Sequence, residues 1–188
     1  MKNCEALIIG GSAGSLEVLL EVFPDLDPVL SFPIIIVLHR KPGKDNILID
    51  LLNARTELDV KEVEEKEALQ SSVIYIAPPS YHLLIEKNKT FSLDASEKVN
   101  FSRPSIDVTF DSAAQVFGEN LACLLLSGAN NDGAKGLQKV EKKGGQVLIQ
   151  DPSSAITPYM PEYAATLTQE KILLQPNQIS SYINHLST

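Results

Sequence analysis

Short apolar runs alternate with stretches of helical period along most of this chain, and that alternation predicts an α/β fold. Leu7-Ile8-Ile9 is continuous and apolar, as a strand buried on both faces requires, within a strand over Glu5–Ile9. Leu16, Val18, Leu19, Leu20, Val22 and Phe23 then recur at helical spacing, giving a helix over Ser15–Phe23. Pro24, Pro28 and Pro33 punctuate the connection to a β-branched strand, Ile34–Leu38. A helix over Asp45–Asn53 follows. Glu57–Glu67 is charge-rich and reads as a solvated strand or loop. Val73–Ile76 is the next strand. His82–Glu86 and Thr90–Leu93 flank Lys87-Asn88-Lys89 as a β-hairpin, which breaks the βα rhythm and predicts an antiparallel addition at a sheet edge.

Ser105 to Phe117 carries a helical pattern, with Ser105 as its expected cap. Leu121–Leu126 is the most apolar strand. It runs through Ser127–Gly133 into a helix over Ala134–Lys142, which Gly144-Gly145 stops. Gln146–Gln150 predicts a strand, and Met160–Leu167 and Asn177–Leu186 predict two helices.

Three turns between these elements hold chemistry. Gly10-Gly11-Ser12-Ala13-Gly14 joins a strand to a helix and matches G-x-S-x-G, a turn that lifts a serine hydroxyl above a sheet beside a helix N-terminus. Such a turn has three readings. Ser12 is a helix cap, or the turn binds a phosphate, or Ser12 is a nucleophile. The phosphate reading is weakened because Ser12 and Ser15 stand where G-x-G-x-x-G needs glycine.

A nucleophilic serine needs a histidine to take its proton and a carboxylate to hold that histidine. The chain has three histidines. His185 falls in the terminal helix and reads as surface, and His82 opens the hairpin and reads as structural. His39 ends a central strand and is the best candidate base. Asp132 lies in the turn after the most apolar strand; its ordinary reading is an N-cap for Ala134–Lys142. Ser12, His39 and Asp132 thus share the C-terminal edge of the predicted sheet, where ligands bind in open α/β folds. Their chain order differs from the Ser…Asp…His of α/β-hydrolases.

Composition narrows the function classes. A chain of 188 residues with 44% hydrophobic and 21% charged residues fits one domain, residues 1–188. A net charge of −8 argues against nucleic acid as a general partner. Cys4 and Cys123, far apart and each beside an apolar strand, read as buried free thiols. No apolar run reaches the length of a membrane span and no signal peptide precedes the first strand, so a cytoplasmic location without membrane insertion is expected.

The stretches IIGGSAGSLEVL, VLHRKPG, YIAPPSYHLLIE, RPSIDVTFDSAA, LLSGANNDGAKGL and GGQVLIQDPSSAITPYMP follow one another as in a known family. Across most of its length the chain resembles the catalytic domain of CheB-type chemotaxis methylesterases. The resemblance implies a doubly wound, mostly parallel, Rossmann-like three-layer sheet with an antiparallel hairpin. It implies removal of methyl groups from glutamate esters on the helical cytoplasmic region of chemoreceptors, with glutamine deamidation as a related activity and no metal or organic cofactor. Ser12 is then the nucleophile, His39 the base and acid, and Asp132 the orienting carboxylate. Ala13, Gly14, Ala129, Asn130 and Asn131 fall to the oxyanion or substrate site, together with Arg40 and Met160. Arg40, Lys41 and Arg103 would attract acidic receptor helices, or else are solvated surface charge. Ala129 and Asn130 stand where the family has methionine and glycine, Leu38 where it has glutamine, and Tyr159 where a small residue is common. The family's receiver domain is not expected in this chain, which leaves a separate regulatory protein as a partner. The alternative is a receptor-docking or signalling module of the same fold whose altered turns have weakened the activity.

Overall fold

The computed structural model describes residues 3–40 and 47–187. Nine strands and six α-helices are formed among them: β1 Ala6–Gly11, α1 Ser15–Val22, β2 Ile34–Leu38, α2 Ile47–Asn53, β3 Asp59–Glu62, β4 Val73–Ile76, β5 His82–Ile85, β6 Phe91–Asp94, α3 Ile106–Phe117, β7 Leu121–Leu125, α4 Ala134–Lys142, β8 Gln146–Gln150, α5 Tyr159–Leu167, β9 Ile172–Leu174 and α6 Pro176–Leu186. The expected start of the second helix at Asp45, and Lys41 with its neighbours, lie outside the described residues.

Seven strands form one parallel sheet in the order β3-β4-β2-β1-β7-β8-β9. The continuous apolar runs explain why both faces are covered. Leu7, Ile9, Ile34 and Ile36 point into a core shared with α1, α2 and α6. Ala6, Ile8, Ile35 and Val37 point into the opposite core, filled by α3, α4, α5 and the hairpin. The chain leaves β1 on one face and β7 on the other. Their adjacent C-terminal ends are therefore the switch point of the doubly wound sheet, where a crevice opens.

Two expectations are corrected. The hairpin β5-β6 is a separate two-stranded sheet, not an addition to the edge of the large one. Leu83, Ile85 and Phe91 bury their side chains in the core that includes Phe110 of α3. Thr109 Oγ1 donates to the Leu83 carbonyl at 2.8 Å and the Ile85 N–H donates to Ser112 Oγ at 3.1 Å, so α3 occupies the hairpin edge a third strand would take. The charge-rich segment is more than a solvated face, because Val60 and Val63 are buried as β3 pairs with β4. Strand β9 was missed, since Ile172-Leu173-Leu174 is short and only Leu174 is buried.

Candidate active site

The end of β1 carries Ser12 over a turn tied down on every side. The Ser12 N–H donates to the Ser127 carbonyl at 2.9 Å, extending the β1–β7 pairing one residue past the strand. The Ser12 carbonyl accepts from the Ser15 N–H at 3.1 Å and from Ser15 Oγ at 2.5 Å, so Ser15 and not Ser12 closes the turn. Gly14 heads α1 with φ +83°, and a Cβ there would stand 2.7 Å from Ile156 and 2.8 Å from Ser127 Oγ. Both the left-handed backbone and the lack of room select glycine.

Strand β2 lies beside β1 and delivers His39 to the same edge; the His39 N–H donates to the Gly11 carbonyl at 3.1 Å. His39 Nε2 lies 2.8 Å from Asp132 Oδ2. The side chain of His39 is 12% exposed and that of Asp132 is fully buried. A carboxylate is acceptor-only, so Nε2 carries the proton of this bond and Nδ1 presents the lone pair.

Asp132 does not cap its own helix as expected. Gly133 occupies the N-cap of α4 with no side-chain bond. The Asp132 carboxylate instead caps α3 across space. Oδ2 accepts from the Ile106 N–H at 2.7 Å, and Oδ1 accepts from the Asp107 N–H at 3.1 Å, Ser105 Oγ at 2.8 Å and Asn100 Nδ2 at 3.0 Å. Ser105, the expected side-chain cap of α3, therefore gives its hydroxyl to Asp132 and makes no capping bond. Burial alone would raise the Asp132 carboxyl. Hydrogen bonds from His39, Asn100, Ile106 and Ser105 outweigh it and hold the group below the usual carboxylate range. Asp107 is shifted the other way. Burial raises it and the Asp132 charge adds to the rise, against hydrogen bonds from Gly136 and Asn100.

Sequence reasoning missed a supporting layer of buried polar groups. Ser127 Oγ donates to the Ala13 carbonyl at 2.7 Å and accepts from the Thr157 N–H at 2.9 Å, while the Ser127 N–H donates to Gln150 Oε1 at 2.9 Å. His82 is structural, as expected; its Nδ1 accepts from the Ser105 N–H at 3.1 Å. Asn100 links Asp132 to Asp107, donating to Asp107 Oδ2 at 2.8 Å. The available signal was the type of residue: Ser127 and Gln150 directly follow or close apolar strands, where a buried polar side chain requires partners.

The other expected residues divide. Ala13, Ala129 and Asn131 are exposed at the mouth of the switch point, and Gly14 and Asn130 are half-buried there. The Ser12 N–H is consumed by Ser127, whereas no hydrogen bond among the described residues takes the Ala13 N–H. Met160 is fully buried, packed so that a Cβ on Gly128 would stand 2.5 Å from its Cε.

A cleft of about 450 Å³ adjoins His39, lined by Arg40, Ser80, Lys98, Phe101, Ser102 and Arg103. Arg40 reaches Glu62 Oε2 at 2.5 Å, and Arg103 Nη1 donates to the carbonyls of Ala95 and Ser96. The Nε–H groups of both arginines are buried without a partner among the described residues. Phe101 stands 98% exposed at the rim. Among the described residues, no cluster of His, Cys, Asp and Glu is placed to hold a metal ion, and no helix is long and apolar enough to cross a membrane.

Comparison with known proteins identifies the family and the fold. Residues 7–183 match the family model for the CheB methylesterase. A Leptospira interrogans relative, provisionally named a protein-glutamate methylesterase/protein-glutamine glutaminase, is 43% identical over 178 residues, covering 95% of this chain and 92% of its own. The protein-glutamate methylesterase/protein-glutamine glutaminase of Thermotoga maritima is 35% identical over 159 residues, covering 83% of this chain and 46% of its own. The crystal structure of the Thermotoga maritima CheB methylesterase catalytic domain superimposes with a TM-score of 0.92 at 32% identity, over 97% of this chain and 98% of that one.

Proposed function

The chain belongs to the CheB methylesterase family, and on that premise we propose that it is a cytoplasmic serine hydrolase that demethylates glutamate methyl esters on the helical cytoplasmic region of chemoreceptors. The single observation that carries the mechanism is the bond from His39 Nε2 to the buried, multiply hydrogen-bonded Asp132. It fixes the tautomer and leaves Nδ1 as the base at the switch point shared with Ser12.

Ser12 Oγ attacks the ester carbonyl as its proton passes to His39 Nδ1. Asp132 stabilises the imidazolium that forms. The tetrahedral oxyanion is held by backbone N–H groups of the Ser12 turn and the Ala129–Asn131 turn, with the Ala13 N–H, free of a partner among the described residues, the first candidate. Collapse expels methanol, which takes the proton from His39. Water, deprotonated by His39, then releases the glutamate carboxylate and restores Ser12. A glutamine side chain follows the same route with ammonia as leaving group. Arg40, Lys98 and Arg103 give the cleft a positive lining in a chain of net charge −8, which suits an acidic helical substrate. A separate regulatory protein remains part of the proposal.

The test is methanol release from a methylated chemoreceptor cytoplasmic fragment. Release by the wild-type chain that disappears in Ser12→Ala, with circular dichroism unchanged, is the expected result. Equal inertness of both folded proteins on receptor and on small activated esters overturns the enzymatic reading and favours a docking module.

A further inference from the structure

Asn130 places an amide on the base. Its Oδ1 accepts from the Asp132 N–H at 3.1 Å, which fixes the orientation of the amide. Its Nδ2 then faces His39 Nδ1, 3.4 Å away. Because His39 Nε2 donates to Asp132, Nδ1 is the nitrogen with the lone pair. No hydrogen bond among the described residues joins His39 to Ser12, so the base lone pair is directed at Asn130.

We propose that Asn130 is a positioning residue that caps the base in the free enzyme: its amide N–H occupies the lone pair of His39 Nδ1 and is turned aside before Ser12 gives up its proton. The proposal rests on the reading of His39 as base. Once Nδ1 is protonated, it and the Asn130 NH2 group are two donors facing each other, so the amide must rotate as the reaction proceeds. Asn130 is only half-buried at the mouth of the crevice, which leaves room for that rotation. A hydrogen bond to the neutral imidazole disfavours its protonated form. The cap therefore restrains proton transfer from Ser12 until the amide turns aside. A glycine at this position would leave Nδ1 open.

The charged groups around His39 are Asp132 on Nε2, Arg40 with its partner Glu62, and Lys98 and Arg103 across the cleft, with Asp107 reached through Asn100. All stay in place in the variants, so differences isolate the amide. The experiment follows the His39 imidazole by NMR titration in the full chain, assigned with His39→Gln, in wild type, Asn130→Ala and Asn130→Ser. Serine keeps an acceptor for the Asp132 N–H and is too short to reach His39.

Both variants are expected to raise the His39 midpoint by about half a unit to one unit. The acid limb of kcat/KM on a small activated ester should move by the same amount, and its plateau should rise about two- to tenfold. A midpoint unmoved in both variants overturns the cap. A midpoint that moves in alanine but returns in serine also overturns it, because the Asp132 N–H bond is then the cause. Ser12→Ala separates the two readings: ester hydrolysis that survives it sinks the Ser12–His39 mechanism, while the NMR midpoint still decides the cap.

Discussion

Asp132 accepts the backbone N–H of Ile106 at 2.7 Å, so the carboxylate that orients His39 is also the cap of α3. One group thereby closes a helix N-terminus and holds the imidazole proposed as the base. Hydrogen bonds from His39, Asn100, the Ile106 N–H and the Ser105 hydroxyl hold the buried carboxyl below its usual range. Orientation of the base and stability of the fold are consequently linked through a single side chain.

Substitution at Asp132 should separate the two roles. Asp132→Asn keeps the shape and removes the charge, so kcat on a small activated ester is expected to fall by about two to four orders of magnitude with little change in KM. Asp132→Ala strands the donors from His39, Ser105, Ile106, Asp107 and Asn100, and urea denaturation should show a loss of about 3–5 kcal/mol. An alanine variant as stable as wild type would contradict the capping role.

Acid stability depends on the same carboxylate. Asp132 is held below the carboxyl value of about 4 that it has in the unfolded chain. Between those two values the unfolded chain binds more protons than the folded one. The stabilisation from Asp132 is thus complete above about pH 4 and is lost as pH falls through the depressed folded value. Denaturation midpoints measured from pH 6 downward should fall less steeply in Asp132→Asn than in wild type over that acid window.

Ser127 joins the Ser12 turn to the Thr157 loop, and its hydroxyl has no access to solvent. Ser127→Ala leaves the Ala13 carbonyl and the Thr157 N–H without this partner. A loss of about 1–3 kcal/mol is expected in a thermal or urea melt, together with a lower kcat because Ala13 adjoins the proposed nucleophile. Unchanged kcat in a destabilised variant would show that the turn keeps its shape without Ser127.

Lys98 is exposed on the cleft beside His39. Lys98→Glu should raise KM for an acidic receptor fragment about three- to tenfold at low salt, and the difference should shrink at high salt. Hydrolysis of a small neutral ester should be untouched. An equal effect on both substrates would remove Lys98 from receptor recognition.

Much of the fold was legible because parallel strands buried on both faces must be apolar throughout. Ile34–Leu38, Val73–Ile76 and Gln146–Gln150 form at the predicted boundaries. The hairpin was legible as local pairing but its docking was not. Leu83, Ile85 and Phe91 are equally suited to a sheet edge or to the surface of α3, and only packing against Phe110 selects the latter. Ser105 and Asp132 were assigned to the helices that follow them, since sequence proximity is the only guide to a cap before the chain folds. The structure gives Asp132 to α3 instead, from a turn 25 residues away along the chain.

What the sequence determined by itself was local and periodic: the strands, the helices, the bent glycine turn, and the placement of Ser12, His39 and Asp132 at one edge of a parallel sheet. What the tertiary structure decided was which nitrogen of His39 meets Asp132, which helix Asp132 caps, and where Asn130 points. Those outcomes depend on contacts between segments far apart in the chain. Burial favours the arrangement in which the Asp132 carboxylate meets the donors of His39, Asn100, Ser105, Ile106 and Asp107.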